Sequence, residues 1–321
     1  MNRQMLGAVS LMFAAMSLIP MGDAAGKLLT STHGVPPAFV ALSRFAVGTA
    51  LILLLAGGRV RWRLYRDWRV WLRGSLIAGG IACILTALRT EQFATVIGAF
   101  FIGPIFSFAL SVRFLGERVS AGQTALLALG FCGVMLVVRP GIAMTPGLAL
   151  AVAAGLFYGA FLTASRWLHD VAPPRQLMLS QSIIGMVLLA PAGLLDVPPV
   201  TPLTGALLLW SGLASACGNL ILILAYRRAG AAVLAPFVYL QLLSALALGW
   251  VVFGTLPDAP AMAGLLLIAA SGFGTLALHR QDQPPPARMA EEEAGCIGTS
   301  TKVQAGGRRS PMPMGGTRRR R

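Results

Sequence analysis

Runs of mainly apolar residues about twenty long, the length a helix needs to cross a bilayer, recur ten times in this sequence. They lie near 5–22, 37–57, 70–88, 93–113, 120–138, 147–165, 176–195, 204–224, 231–253 and 260–279. Turn-forming residues separate them: Pro36-Pro37, Gly57-Gly58, Pro140-Gly141, Pro173-Pro174, Pro198-Pro199 and Pro257. Of the residues, 56% are hydrophobic and 12% charged, against roughly 25% charged in soluble domains. Water cannot solvate that much apolar surface. The expected fold class is all-α integral membrane, with ten transmembrane helices. Arg3 before the run at 5–22 fits the opening of a signal peptide. The length of that run and the spans that follow predict an uncleaved first span instead.

The net charge of +15 does not point to nucleic acid. The basic residues fall in short blocks between apolar runs, with no interleaved aromatic platform. Such blocks carry topology information. With the N-terminus in the cytoplasm, 22 Lys and Arg residues fall inside and three (Lys27, Arg89, Arg139) outside, while Arg44 lies within a span. Without the tail the split is still 13 to 3. The expected localisation is the cell (inner) membrane, multi-pass, with both termini cytoplasmic. Cys83, Cys132 and Cys217 lie in apolar runs and Cys296 in the tail, with neither disulfide nor zinc spacing. No cofactor and no metal site is expected.

A shift of 138 positions lays the second half of the chain on the first. Ala87 meets Ala225, Arg89 meets Arg227, Ala94 meets Ala232, Ala109 meets Ala247, Leu110 meets Leu248 and Gly116 meets Gly254. The first spans match within one residue, since Lys27 and Arg166 each close one. Five spans per half is odd, so the second half enters the membrane from the opposite side. Such inverted repeats are the architecture of many secondary transporters, with the site between the halves near the midplane. The expected domains are a five-helix repeat over 1–141, a second over 142–280, and a disordered basic cytoplasmic tail over 281–321.

Several segments carry a family resemblance: ALRTEQFATVIGAFFIGPIFSFALSVRFLGERVSAGQ (87–123), GFCGVMLVVRPG (130–141), LAPFVYLQLLSALALGWVVFGTLPD (234–258) and LSRF (42–45). Through them the sequence resembles the drug/metabolite transporter superfamily, in its ten-span EamA-like branch, over about residues 5–280. The resemblance implies a carrier for a small organic metabolite. It also gives Glu117 a reading, as a structural or gating carboxylate between spans four and five, where a helix N-terminus stabilises negative charge. The family repeats this glutamate in its second half. Here Thr255 stands in its place, where a hydroxyl can still cap a helix. This departure argues against a proton carrier at that position in both halves.

Ionisable groups inside spans are costly and mark function. Arg44 lies about 10 Å into span two at helical rise, with Asp23 and Glu91 at the same outer side. Asp23 or Glu91 is expected to neutralise it and form an outer gate. Arg44, Asp23, Glu91, Tyr158, Gln181, Asn219 and Tyr239 are the candidate substrate-binding residues. Pro104 and Gly103, with Gly98, make span four the expected bending helix. MGDAAGK (21–27) and LAPFVYLQLL (234–243) are similar to the S-adenosylmethionine-carrier-like subgroup. Asn219 departs from it, following Gly218 where that group carries histidine.

The expected partners are a small-molecule substrate, the lipid bilayer and, as an allowed case, a second copy in a homodimer. An enzyme is not expected. His33, His169 and His279 lie at span ends or loops, and HExxH is absent. So is GxxxxGK[ST], which argues against direct ATP drive. The rival class is a non-transporting membrane scaffold or assembly partner.

Overall fold

Proline sets where the helices begin. Pro37, Pro146, Pro174 and Pro202 each stand at the first residue of a helix, where the missing N–H has no intrahelical acceptor to lose. The structure, a computed structural model, describes residues 3–55, 57–115, 121–139, 144–168, 170–228 and 235–281. Among these there is no strand.

The helices are α1 (Arg3–Lys27), α2 (Pro37–Leu55), α3 (Trp68–Thr90), α4 (Phe93–Phe100), α5 (Ile102–Leu110), α6 (Ala121–Val138), α7 (Pro146–Trp167), α8 (Pro174–Leu194), α9 (Pro202–Arg228), α10 (Leu240–Phe253) and α11 (Ala259–Gln281). Side chains cap several of them. Asp67 accepts from the Arg69 amide at 2.9 Å before α3, and Thr145 from the Leu148 amide at 3.0 Å before α7. Gly57 and Gly58 turn the chain after α2 at φ 60° and 73°, a region only glycine enters freely.

Among the described residues, seven segments are long and apolar enough to cross a membrane: Gly7–Thr32, Pro37–Leu55, Trp68–Thr90, Phe93–Phe114, Pro146–Trp167, Pro174–Leu194 and Pro202–Ala225. The other three expected spans appear as shorter apolar helices, Thr124–Val138, Phe237–Phe253 and Ala259–Gly274. Two of these border residues outside the description, 116–120 and 229–234. Glu117 lies outside the described residues, as does the tail from 282 on.

Span four is broken. α4 ends at Phe100 and α5 starts at Ile102, with Phe101 in a tight turn whose amide reaches Gly98 O at 3.2 Å. Pro104 explains the break, because it has no N–H to return to Phe100 O. Thr255 does not cap the next helix. Its hydroxyl donates back to Gly249 O at 3.4 Å, and Asp258 caps α11 by accepting from the Ala261 amide at 3.2 Å. The reason is geometric: α10 ends at Gly254 (φ 62°), and three further residues separate Thr255 from the start of α11.

Within the compact unit up to Leu278, α1 runs along α9, α2 along α8, and α3 along both α7 and α8. The main core joins Leu85, Leu88, Phe93 and Ile97 to α7 and α10. Large apolar side chains such as Trp250, Val251 and Leu266 stay exposed, as a lipid-facing surface requires.

Candidate functional site

Among the described residues two arginines are buried in the helical bundle, and each is held where three helices meet. The first is Arg44 on α2, 5% exposed. Its Nη1 donates to Asp23 Oδ1 at 2.7 Å, its Nη2 to Gly22 O at 2.6 Å and its Nε to Ser211 Oγ at 2.8 Å. Ser211 Oγ donates in turn to Gly22 O at 2.9 Å. The pair Asp23–Arg44 is therefore an ion pair bridged from α1 to α2 and braced by α9. Gly26 makes room for it, since a Cβ there would lie 2.6 Å from Arg44 Nη2. Of the two carboxylates expected to neutralise Arg44, Asp23 does so.

The second is Arg73 on α3, 7% exposed. Its Nε donates to Ser165 Oγ at 2.8 Å and its Nη1 to Leu177 O at 2.9 Å. Its guanidinium lies 4.5 Å from the centre of the Phe161 ring. No carboxylate among the described residues pairs with it. Sequence reading counted Arg73 among the loop arginines that set topology. Its place as the fourth residue of the third apolar run, 70–88, was the available signal.

Glu91 is elsewhere. Its side chain accepts from the Thr145 hydroxyl, and its backbone carbonyl accepts from Lys27 Nζ at 2.6 Å. Lys27 also reaches Leu88 O at 2.8 Å and so closes the end of α3. Glu91 lines a cleft of about 230 Å³ with Gln92, Thr95, Val137, Arg139, Leu148 and Asp258. Arg139 and Asp258 form an ion pair across it. The Arg139 hydrogen bond holds the Asp258 carboxyl below the usual carboxylate range. Sequence reading missed this pair, whose members stand 119 residues apart.

The remaining candidates do not converge on one point. Tyr158 sits between Phe100 and Phe161, at 4.9 and 6.0 Å between ring centres. It thus links the break in span four to the ring under Arg73. Tyr239 packs on Phe101, the residue at the break itself, at 5.5 Å. Asn219 donates to Ser215 O of its own helix at 2.8 Å. Gln181 Oε1 and Thr49 Oγ1 are buried without hydrogen-bond partners. Gly103 is a close-packing contact: a Cβ there would lie 2.7 Å from Gly155 O of α7.

A model of the EamA-like transporter family matches residues 5–139 and 145–277. The chain is 29% identical over 296 residues to the riboflavin transporter of Rhizobium johnstonii, covering 89% of this chain and 96% of that protein. It is 27% identical over 248 residues to the pseudopaline exporter of Pseudomonas aeruginosa, with 74% and 85% covered. A solved crystal structure matches with a TM-score of 0.62 at 20% identity, over 86% of this chain and 99% of its own. At that identity the likeness is one of fold.

Proposed function

The chain belongs to the EamA-like transporter family; it is a multi-pass membrane transporter, not an enzyme, and we propose that it is a secondary carrier of a small organic metabolite. In this reading ten spans form two inverted five-helix repeats, 1–141 and 142–280, that alternate access to a site between them. Both termini lie in the cytoplasm and the membrane is the inner one.

The observation that carries the reading is the matched pair of arginine junctions. The first joins spans one, two and eight; the second joins spans six, seven and three, their counterparts in the other repeat. Positions 22 and 26, which approach Arg44, lie 139 residues before Phe161 and Ser165, which touch Arg73. Arg73 itself lies 138 residues before Ser211, which touches Arg44. Under the positive-inside orientation the two junctions fall on opposite sides of the membrane, where an alternating carrier needs one closure each.

The relatives' names make riboflavin the first cargo to test. S-adenosylmethionine has no support among the relatives described above. It stays in the panel on the resemblance at 21–27 and 234–243. The test is counterflow in proteoliposomes preloaded with unlabelled riboflavin, S-adenosylmethionine, amino acids or amines, following entry of the matching label. Accumulation with one of them is the expected result. No accumulation with any, from folded protein, would favour the scaffold instead.

A further inference from the structure

A guanidinium cannot shed its proton inside a protein, and a charge removed from water needs a partner of opposite sign or a large compensating set of hydrogen bonds. Arg44 has such a partner. Arg73 is as deeply buried and has none among the described residues. Its Nε and Nη1 have acceptors, and both acceptors are neutral. Its Nη2 donates to no acceptor in the described structure and is not among the atoms fully shut off from solvent, so its edge is open. The face of α7 that meets it carries an aromatic ring and a hydroxyl. The position matched to Asp23, 139 residues on, is Leu162. It lies one residue from the ring and three from the hydroxyl that touch Arg73. The second junction is therefore built from the counterpart helices with its arginine on span three, and it carries no acid at the position matched to Asp23.

We infer that the missing anion comes from outside the chain, and that Arg73 docks a carboxylate or phosphate group of the transported metabolite at the meeting of α3, α7 and α8. A planar guanidinium with an open Nη2 edge suits such an oxyanion, which it can grip through two parallel hydrogen bonds. Tyr158, Phe161 and Phe100 extend from this point to the break in span four, so a bound molecule's apolar part would lie along aromatic rings. The inference rests on the transporter reading for its choice of occupant. Within the panel it favours carboxylate-bearing cargo over riboflavin, which has neither group.

The test uses the purified full chain in phosphatidylcholine nanodiscs, with chloride replaced by inorganic phosphate or acetate at constant ionic strength. Thermal unfolding is followed by tryptophan fluorescence. The wild type is expected to unfold at a higher temperature as either anion is added, and Arg73→Gln to lose that shift. Leu162→Asp, which keeps Arg73 and supplies a carboxylate within the chain, is expected to lose it too, so the result does not hang on one variant folding. An equal shift in all three proteins, or none in the wild type, would overturn the inference. Adding phosphatidylglycerol separates the sources. A phosphate shift that survives assigns the site to a water-borne anion. One that disappears assigns it to a lipid headgroup and overturns the role in cargo binding. The readout needs no transport. Counterflow without an anion shift would sink this inference alone, and an anion shift without counterflow would count against the secondary-carrier reading alone.

Discussion

The Arg44 and Arg73 junctions use matched helices, bury an arginine to 5% and 7% exposure, and give its Nε a serine hydroxyl each. They take the arginine from different spans, two and three, and only the first meets a carboxylate among the described residues: Asp23, where the matched position beside Arg73 is Leu162. That difference separates a self-contained lock from a site with a standing electrostatic demand. At the Arg44 junction every charge is answered within the chain, so its energetics are those of a buried ion pair. At the Arg73 junction hydrogen bonds and a ring face hold the side chain in place but leave its charge unanswered. A protein that moves a charged or zwitterionic molecule has use for one of each.

The strongest way to break this contrast is to remove the acid. Asp23→Asn leaves Arg44 buried and unpaired and should destabilise the protein by about 3–5 kcal/mol. The apparent unfolding temperature of the purified protein in detergent would register it; an effect no larger than that of Arg73→Leu would end the contrast. Gly26→Ala comes next. Its methyl group would meet Arg44 Nη2 at 2.6 Å and Leu85 Cδ2 at 2.7 Å, an overpacking worth about 1–3 kcal/mol. Wild-type stability in that variant would mean that the guanidinium has room to move.

Arg73→Leu should cost only about 1–2 kcal/mol, because the lost bonds are offset by a charge no longer buried. Its acceptors are not orphaned. Leu177 O still accepts from the Ser180 hydroxyl at 2.9 Å, and Ser165 Oγ still donates to Phe161 O at 2.7 Å. Near-normal stability combined with lost counterflow of an anionic cargo would sharpen the contrast most.

The smallest effect belongs to the exposed pair. The Arg139 hydrogen bond depresses the Asp258 carboxyl below its ordinary 3.8. Its contribution is therefore present above that value and fades as pH falls through the depressed one. Asp258→Asn should lower stability slightly at neutral pH and make no difference once the pH is below the depressed value, which flattens the acid limb. A larger loss at neutral pH than in Asp23→Asn would reverse the ranking of buried over exposed pairs.

Much of the architecture could be read along the chain because it follows from local chemistry. Apolar run lengths mark the helices, proline marks their starts, and Pro104 marks the break at Phe101. Arg44 stood out for the same reason, as a charge inside an apolar run. Which carboxylate answers it was not legible. Asp23 and Glu91 both lie at the expected outer end, and only the packing of α1 on α2 and α9 separates them. Arg73 was hidden because counting charges near a span end cannot tell a solvated arginine from one folded under a neighbouring helix. Thr255 misled for a related reason: matching by repeat fixes a position in the chain, while the turn after Gly254 places Asp258, not Thr255, at the start of α11.

The sequence alone determined that the chain belongs in a bilayer, roughly where its helices run and which charges are unusual, because hydrophobicity and backbone chemistry act over a few residues. The tertiary structure decided which of those charges are paired. Ser211 is 167 residues from Arg44, and Leu177 is 104 from Arg73. Only the crossing of helices brings such groups within hydrogen-bond range, and pairing in a low-dielectric interior depends on that range.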